Sequence, residues 1–328
     1  MVDSNLGALR PADGTVLELV VTAREEPAKD VVAFSLASPD AIPLPRWEPG
    51  AHVDVFTGAG VVRQYSLCGD PADSHSWRIG VLLDPAGRGG SRWMHESLQV
   101  GDVVTVGGPR NHFSLEWARS YVFIAGGIGI TPILPMIRRA EDLGADWRLH
   151  YGGRGRVSMG FTDELEAYGD RVTLWPEDEC GLLPLADILG SPASSTPVYC
   201  CGPEPLLVAV EQACAGWPPG ALHVERFASS GRLEASAGED RGFEVVLDGL
   251  GVTVAVGADE SILRALERRG INVLSSCHEG VCGTCETPVL EGVPDHRDVL
   301  LSEAERAAND TMMICVSRAK SERLILDI

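Results

Sequence analysis

Positive charge is scarce in this chain: its 328 residues carry 27 Lys and Arg against 47 Asp and Glu, a formal net charge of −20. Nucleic acid and anionic membrane surfaces both reward clustered Lys and Arg, so neither is expected as a partner, while docking to a locally basic protein is compatible with the charge. Long apolar runs are missing too. The longest uncharged stretch, Tyr121 to Ile137, only reaches the lower limit for a membrane span, and it is broken by Gly126, Gly127, Gly129, Pro132 and Pro135. A strand, a glycine turn and a helix start explain it better. Met1 to Gly14 has no basic region followed by an apolar run, so no secretory signal is visible and a cytoplasmic location is expected. No internal repeat is evident, no His/carboxylate facial triad for mononuclear iron stands out, and no haem-binding segment does.

A disulfide framework is also excluded as the first reading of the nine cysteines, since nothing marks the chain as secreted. Cys68, Cys180, Cys200, Cys201 and Cys214 sit among apolar neighbours, where a buried thiol is the default. The other four are grouped as Cys277-x4-Cys282-x2-Cys285, with Cys315 following after 29 intervening residues. That is the plant-type spacing for a [2Fe–2S] cluster, which needs two thiolates per iron and three of them from one tight loop. Gly280 and Gly283 permit the backbone conformations of such a loop, and nearby amides can donate to the sulfurs. Structural zinc is the competitor, but zinc sites usually pair two short Cys-x-x-Cys knuckles, and this arrangement is three plus one.

At roughly 100–150 residues per domain, two or three domains are expected. Thr15–Val21, Val31–Leu36, His52–Val55, Val61–Leu67, Trp77–Leu83 and Asp102–Val106 are short β-branched runs between Gly, Pro and Asp turn signals, which suggests a small antiparallel barrel. Ser91 is a candidate N-cap before a helix at Arg92–Leu98. Strand and helix then alternate: strands at Tyr121–Ala125, Trp147–Tyr151, Val172–Trp175 and Val198–Cys201, helices at Thr131–Leu143, Thr162–Tyr168 and after Pro203. This implies a parallel α/β sheet. Ala228 to Gly242 is small, polar and without periodicity, as in a linker. A hairpin (Phe243–Leu247, Val252–Val256), a helix (Ser261–Arg269), the cysteine loop and two late strands complete the chain.

Cys277-His278-Glu279-Gly280-Val281-Cys282-Gly283-Thr284-Cys285, the segments Leu290-Glu291-Gly292 and Asp295-His296-Arg297-Asp298, and Cys315-Val316-Ser317-Arg318 closely resemble the ferredoxin module of the phthalate dioxygenase reductase and vanillate O-demethylase reductase family. Many relatives have Arg where this chain has His278; that residue flanks the cluster, so the departure bears on potential or docking and leaves the ligands intact. The resemblance covers essentially the whole chain. Arg63-Gln64-Tyr65-Ser66 resembles the RxYS motif of the wider ferredoxin-reductase superfamily, although alone it also reads as an ordinary alternating strand. The resemblance implies that Arg63 pairs with a flavin phosphate, that Tyr65 packs on the isoalloxazine and that Ser66 lies near flavin N5. It makes Gly89-Gly90-Ser91-Arg92 a second phosphate site at a helix start. Gly107 to Phe113 matches the barrel exit of the FMN-containing type, which favours FMN over FAD.

Gly126-Gly127-Ile128-Gly129-Ile130-Thr131-Pro132 follows a strand and opens a helix, as a turn that cradles a pyrophosphate does. It is not G-x-G-x-x-G, so the standard dehydrogenase fingerprint fails on spacing. It is similar to the nicotinamide motif of the same superfamily, which implies that Thr131 helps to place the nicotinamide. Cys201-Gly202-Pro203 resembles that superfamily's CGP motif, with Cys201 near nicotinamide C4, and Phe227 is implied to cover the flavin. Arg154 and Arg156 stand where an adenosine ribose is read: as phosphate ligands they favour NADPH, as solvated loop charges they do not, and relatives mostly use NADH.

The implied architecture is multidomain: an antiparallel β-barrel flavin domain (1–115), an α/β parallel-sheet nucleotide domain (116–228), a linker (229–241) and a C-terminal α+β, β-grasp ferredoxin domain (242–328). The implied activity is that of an oxygenase reductase component, moving hydride from NAD(P)H to FMN and then single electrons through the cluster. Its acceptor is expected to be a Rieske-type non-haem iron oxygenase, with a cytochrome P450 as the alternative. A cofactor-depleted electron carrier or redox sensor, and a simple flavin reductase, are the competing classes.

Overall fold

Apolar and polar residues alternate through the first third of the chain, and since successive strand residues face opposite sides, this pattern buries one face of each strand. The computed structural model describes residues 16–58, 61–190, 196–227 and 241–328. The expected linker at 229–241 lies outside the described residues apart from Arg241, as does the segment Met1–Gly14. Val16–Arg226 and Phe227–Ile328 form two compact units.

In the first unit β1 (Val16–Ala28), β2 (Val31–Ala37), β3 (Ala51–Phe56), β4 (Val62–Ser66), β5 (Ser76–Leu82) and β6 (Val103–Asn111) pair antiparallel in the order β4-β3-β6-β1-β2-β5. A bridge between Leu67 and Ile79 joins the two outer strands and closes the sheet into a barrel, so neither edge stays open. β1 runs past Val21 to Ala28, and β6 past Val106 to Asn111, because each strand finds partners on both sides. On the polar face of β3, Asp54 has no exposed side-chain surface; it accepts from Arg110 Nη2 at 2.6 Å and from Gln64 Nε2 at 3.0 Å.

Helix α1 (Gly90–Glu96) follows β5, and Ser91 is not its N-cap. Gly89 holds that place with φ 89°, a conformation that costs glycine little, so the helix starts two residues before Arg92. The Ser91 hydroxyl instead accepts from the Asp84 amide at 3.0 Å.

The same unit continues with β7 (Ser120–Gly126), α2 (Ile130–Asp142), β8 (Asp146–Gly153), α3 (Thr162–Leu165), β9 (Val172–Pro176), α4 (Glu177–Cys180), α5 (Leu185–Leu189), β10 (Val198–Cys201), α6 (Glu204–Ala213) and β11 (Leu222–Glu225). The five strands are all parallel, in the order β11-β10-β7-β8-β9. Continuous apolar runs such as Val198-Tyr199-Cys200-Cys201 mark strands covered on both faces. The helix expected at Thr162–Tyr168 shrinks to the single turn α3 and a 3-10 stretch, broken at Gly169 (φ 54°, ψ −129°). β11 has only four residues, too few to show a period.

The second unit holds β12 (Phe243–Leu247), β13 (Val252–Val256), α7 (Ile262–Arg268), β14 (Glu286–Glu291), β15 (Pro294–Asp295), α8 (Glu303–Ala308), β16 (Thr311–Met313), β17 (Arg318–Ala319) and β18 (Arg323–Leu326). The mixed sheet β13-β12-β18-β14-β16, with β12 and β18 parallel, buries Ile262, Leu263, Ala265 and Leu266 of α7: this is the β-grasp arrangement. The hairpin β12–β13 stands as expected, and after the cysteine loop five strands, β14 to β18, stand where two were expected. α8 was also unexpected, although Ser302-x-x-Glu305 forms a full capping box. Among the described residues no helix is long and apolar enough to cross a membrane.

Asp54→Ala leaves the Arg110 guanidinium buried without its carboxylate. It is expected to lower unfolding free energy by about 3 kcal/mol, read as a lower denaturation midpoint by circular dichroism; an unchanged midpoint means the pair contributes nothing.

Candidate functional site

Arg63 and Tyr65 leave β4 on one face, Gln64 and Ser66 on the other. A Cβ on Gly90 would lie 2.7 Å from Arg63 Cγ and 3.2 Å from its Nε, so the arginine crosses the start of α1 and meets Gly90 there. Tyr65 packs on the barrel core with its hydroxyl buried and without a hydrogen-bond partner; the Ser66 hydroxyl is in the same condition. Burial raises the Tyr65 pKa, which keeps the phenol protonated. Two buried hydroxyls without partners, on successive residues at the end of β4 and on its two faces, are costly unless a polar group reaches them there. A flavin ring, with its heteroatoms and carbonyls along one edge, meets that need, so the residues fit the group. Other expected contacts turn elsewhere: the Gln64 amide donates to Asp54, and Arg92 Nη2 donates to the Pro85 carbonyl at 3.2 Å. Ser91 is held by Asp84 as above.

The glycine turn stands at the C-terminal edge of the parallel sheet. β8 and β9 extend from β7 on one side, β10 and β11 on the other, so the order reverses between β7 and β10, where open α/β sheets bind their ligands. The structure brings the two nicotinamide motifs together at this point. A Cβ on Gly129 would collide with the Cys201 carbonyl, and one on Gly126 would come within 2.7 Å of Pro203 Cδ. Gly202 would meet the Gly126 backbone at 3.0 Å. Gly127, at φ 53°, faces open space. Thr131 is buried at the start of α2 and donates to the Ile128 carbonyl at 2.9 Å. Tyr151, which the sequence did not single out, donates to the Gly127 and Gly160 carbonyls at 3.1 and 3.2 Å, a brace under the turn.

Cys201 is fully buried, and its thiol points at Glu225 Oε2, 3.8 Å away. Burial, and then the neighbouring Glu225, raise its pKa, so it stays a neutral thiol. Burial also pushes Glu225 up to about 8, partly offset by the bond from Cys201. Glu225 was not among the expected site residues; a lone Glu at a strand end carries no signal until β11 places it beside Cys201. Phe227 is 44% exposed and belongs to the other unit, so the geometry of this site does not include it. Arg154 is exposed, while Arg156 Nε and Nη2 grip both carboxylate oxygens of Glu179 at 2.9–3.1 Å. Glu177, Asp178 and Glu179 form the whole first turn of α4 beside them.

In the second unit the four thiols of the motif converge: the Cys277 sulfur lies within bonding reach of those of Cys282 and Cys315, and the Cys315 sulfur of that of Cys285. The adjacent Cys277 sulfur, then burial, raise the Cys282 pKa far above the thiol range. Thiolates packed so closely repel one another unless a cationic group lies among them, so this donor set fits a metal centre. The Glu279 amide donates to the Cys277 sulfur at 3.3 Å, and Val281 and Gly280 amides point at Cys277 and Cys315. His278, Gly280 and Gly283 all adopt positive φ (60°, 70° and 72°), which folds the loop inward. A Cβ on Gly280 would meet Val316 at 2.6 Å and the Asp298 backbone at 3.0 Å. Asp298, also unassigned from sequence, accepts from the Leu300 and Leu301 amides at 3.1 and 2.8 Å and from Ser317 at 3.5 Å, which ties the ligand loop to the Cys315 segment.

Residues 245–320 match the family model described as a 2Fe-2S iron-sulfur cluster binding domain. The chain is 48% identical over 303 residues to phenoxybenzoate dioxygenase subunit beta of Ectopseudomonas oleovorans, which covers 92% of this chain and 94% of that one. An intact type IV self-sufficient cytochrome P450 monooxygenase matches with a TM-score of 0.88 and 46% identity over 95% of this chain. The chain spans only 41% of the length of that larger protein. Phthalate dioxygenase reductase matches with a TM-score of 0.71 and 35% identity, covering 97% of this chain and 100% of that one.

The Glu225 carboxyl titrates near 8 in the folded chain against 4.5 ordinarily, so between those values the folded state holds the extra proton. Its contribution to stability is complete below about pH 4.5 and is lost as the pH rises through 8. Glu225→Gln is therefore expected to flatten the fall in urea midpoint between pH 5 and 8; an unchanged slope contradicts the assignment.

Proposed function

The chain belongs to the phthalate dioxygenase reductase family, and from that premise we propose which residues do its work and which acceptor it serves. It is an NAD(P)H-dependent oxidoreductase that works as the reductase component of a multicomponent oxygenase. When bound, FMN would supply the conversion of two-electron hydride chemistry into single electrons, and a [2Fe–2S] cluster the one-electron route to the oxygenase.

The observation that carries the residue assignment is the pair of buried, partnerless hydroxyls on Tyr65 and Ser66, in the same compact unit as the glycine turn and Cys201. In this reading Arg63, with the backbone of Gly89 and Gly90, holds the FMN phosphate, and Ser91 and Arg92 shape the loop beneath it. Tyr65 packs on the ring and Ser66 donates near its reactive edge; Gln64 contributes its backbone. Gly126, Gly127 and Gly129 hold the pyrophosphate of NADH. Thr131, Cys201, Gly202 and Pro203 orient the nicotinamide, a task that needs position rather than nucleophilicity. Cys277, Cys282, Cys285 and Cys315 hold the cluster. The flavin is assigned to 1–115, the nucleotide to 116–228 and the cluster to 242–328, with 229–241 between them and Phe227 next to it. The five cysteines outside the cluster set, none of them in a disulfide, suit a reducing, cytoplasmic compartment.

A Rieske-type non-haem iron oxygenase is the acceptor we favour, because phthalate dioxygenase reductase is matched from end to end. A cytochrome P450 is the second reading, favoured by the higher TM-score to the reductase part of a self-sufficient P450. Turnover assays with one oxygenase of each class separate the two.

Cys282→Ser is expected to retain FMN and its bleaching by NADH while losing cluster absorption and at least 100-fold in electron delivery to the oxygenase. Delivery that survives the substitution overturns the assigned route. The α4 carboxylates disfavour a 2′-phosphate and neutralise Arg156, so NADH is expected to exceed NADPH at least tenfold in kcat/KM. Glu179→Gln, which frees Arg156, is expected to narrow that ratio through KM; an unchanged ratio places the selection elsewhere.

A further inference from the structure

We infer that Gly80, on strand β5 of the barrel, is the positioning residue that sets how closely the nicotinamide turn approaches the flavin edge. The inference rests on the roles assigned above to Ser66 and Thr131. Gly80 stands between them. The antiparallel bridge from Leu67 to Ile79 fixes the register of β4 against β5, and one residue further on that register sets Ser66 beside Gly80. The Cys68 amide, which donates to the Arg78 carbonyl at 2.8 Å, confirms the same register from the other side. On its other side Gly80 faces the nicotinamide lobe: a Cβ there would lie 2.8 Å from Thr131 Cγ2 and 3.1 Å from Phe161 Cζ.

Neither neighbour can move away freely. Thr131 is 1% exposed and its hydroxyl is tied to Ile128, while Phe161 is 3% exposed and held at φ 63°. A non-glycine residue in the left-handed region is strained, so the surrounding contacts must hold it there. Arg78, two residues before Gly80 and so on the same strand face, supplies one of them. Its guanidinium lies 5.0 Å from the centroid of the Phe161 ring and pairs with Glu164 of α3, which in turn holds Arg138 of α2 at 2.9 Å. Arg78 also holds Glu25 of β1 at 2.7 Å. The seam is therefore clamped at Arg78 and closed to the last methyl at Gly80. Hydride transfer falls steeply when donor and acceptor are set apart, so one added methyl here acts on the rate rather than on either binding site alone.

The experiment compares Gly80→Ala in two backgrounds, the parent and Thr131→Ser, which keeps the hydroxyl but removes the methyl that Gly80→Ala would strike. Anaerobic stopped-flow reads the rate of FMN reduction by NADH, together with FMN content and the nicotinamide–flavin charge-transfer absorbance. Gly80→Ala is expected to slow reduction at least tenfold in the parent, with FMN content unchanged and the charge-transfer band weakened. In the Thr131→Ser background it is expected to cost less than threefold, the non-additivity of residues in contact. Equal losses in both backgrounds, or no loss in the parent, overturn the inference. If Gly80→Ala does not fold in the parent, recovery of a folded, FMN-loaded double variant supports the collision, and failure to recover overturns it. Thr131→Val tests the underlying assignment separately: if it leaves reduction by NADH intact, the role of Thr131 fails, and that of Gly80 with it. If it slows reduction while Gly80→Ala does not, only the role of Gly80 fails.

Discussion

Hydride moves only between atoms in contact, so on the proposed assignment the first unit has to bring two cofactors, one at each of its two sheets, within touching distance. Much of what is unusual in its sequence follows from this constraint. The barrel closes through Leu67 and Ile79, which leaves Ser66 at the end of β4 beside β5. The parallel sheet reverses its order between β7 and β10, and glycines at 126, 129 and 202 let those two strand ends and α2 press backbone to backbone. Larger residues at those places would push the turn outward. Tyr151 fixes the turn from below, and beside it the buried, neutral Cys201 thiol points at the half-buried Glu225 carboxyl.

The second unit answers a different constraint, which is how to gather four thiolates. A short loop with three positive-φ residues turns Cys277, Cys282 and Cys285 toward one point, and Asp298 ties that loop to the segment carrying Cys315. The β-grasp sheet and α7 supply the apolar body on which the loop rests. Electron transfer, unlike hydride transfer, tolerates distance, so the cluster can be carried by a unit of its own.

The barrel strands, the parallel sheet and the cluster loop were legible in the sequence because each rests on a local signal: β-branched runs between turns, apolar strands alternating with helices, and cysteine spacing. Features set by tertiary contact were not. Ser91 had the chemistry of an N-cap, but Gly89 took the place through its left-handed backbone, and the hydroxyl was drawn to Asp84. Arg154 and Arg156 looked alike in sequence, and only the fold brings Glu179 across to occupy one of them. Glu225 meets Cys201, Asp298 meets Ser317 and Gly80 faces Thr131, partners distant in sequence that no local pattern shows. The short elements β11, α4 and α5 were missed because four or five residues cannot display a period.

In the proposed route one chain takes hydride from NADH onto a flavin and passes electrons singly from the flavin to one [2Fe–2S] centre. An anaerobic titration with NADH, followed by visible absorption and by electron paramagnetic resonance of the reduced cluster, tests it most directly. Two electrons for the flavin and one for the cluster require about 1.5 equivalents of NADH for complete reduction, with the cluster signal growing as the flavin bleaches. Cluster absorption without flavin, left unreduced by NADH, contradicts the account.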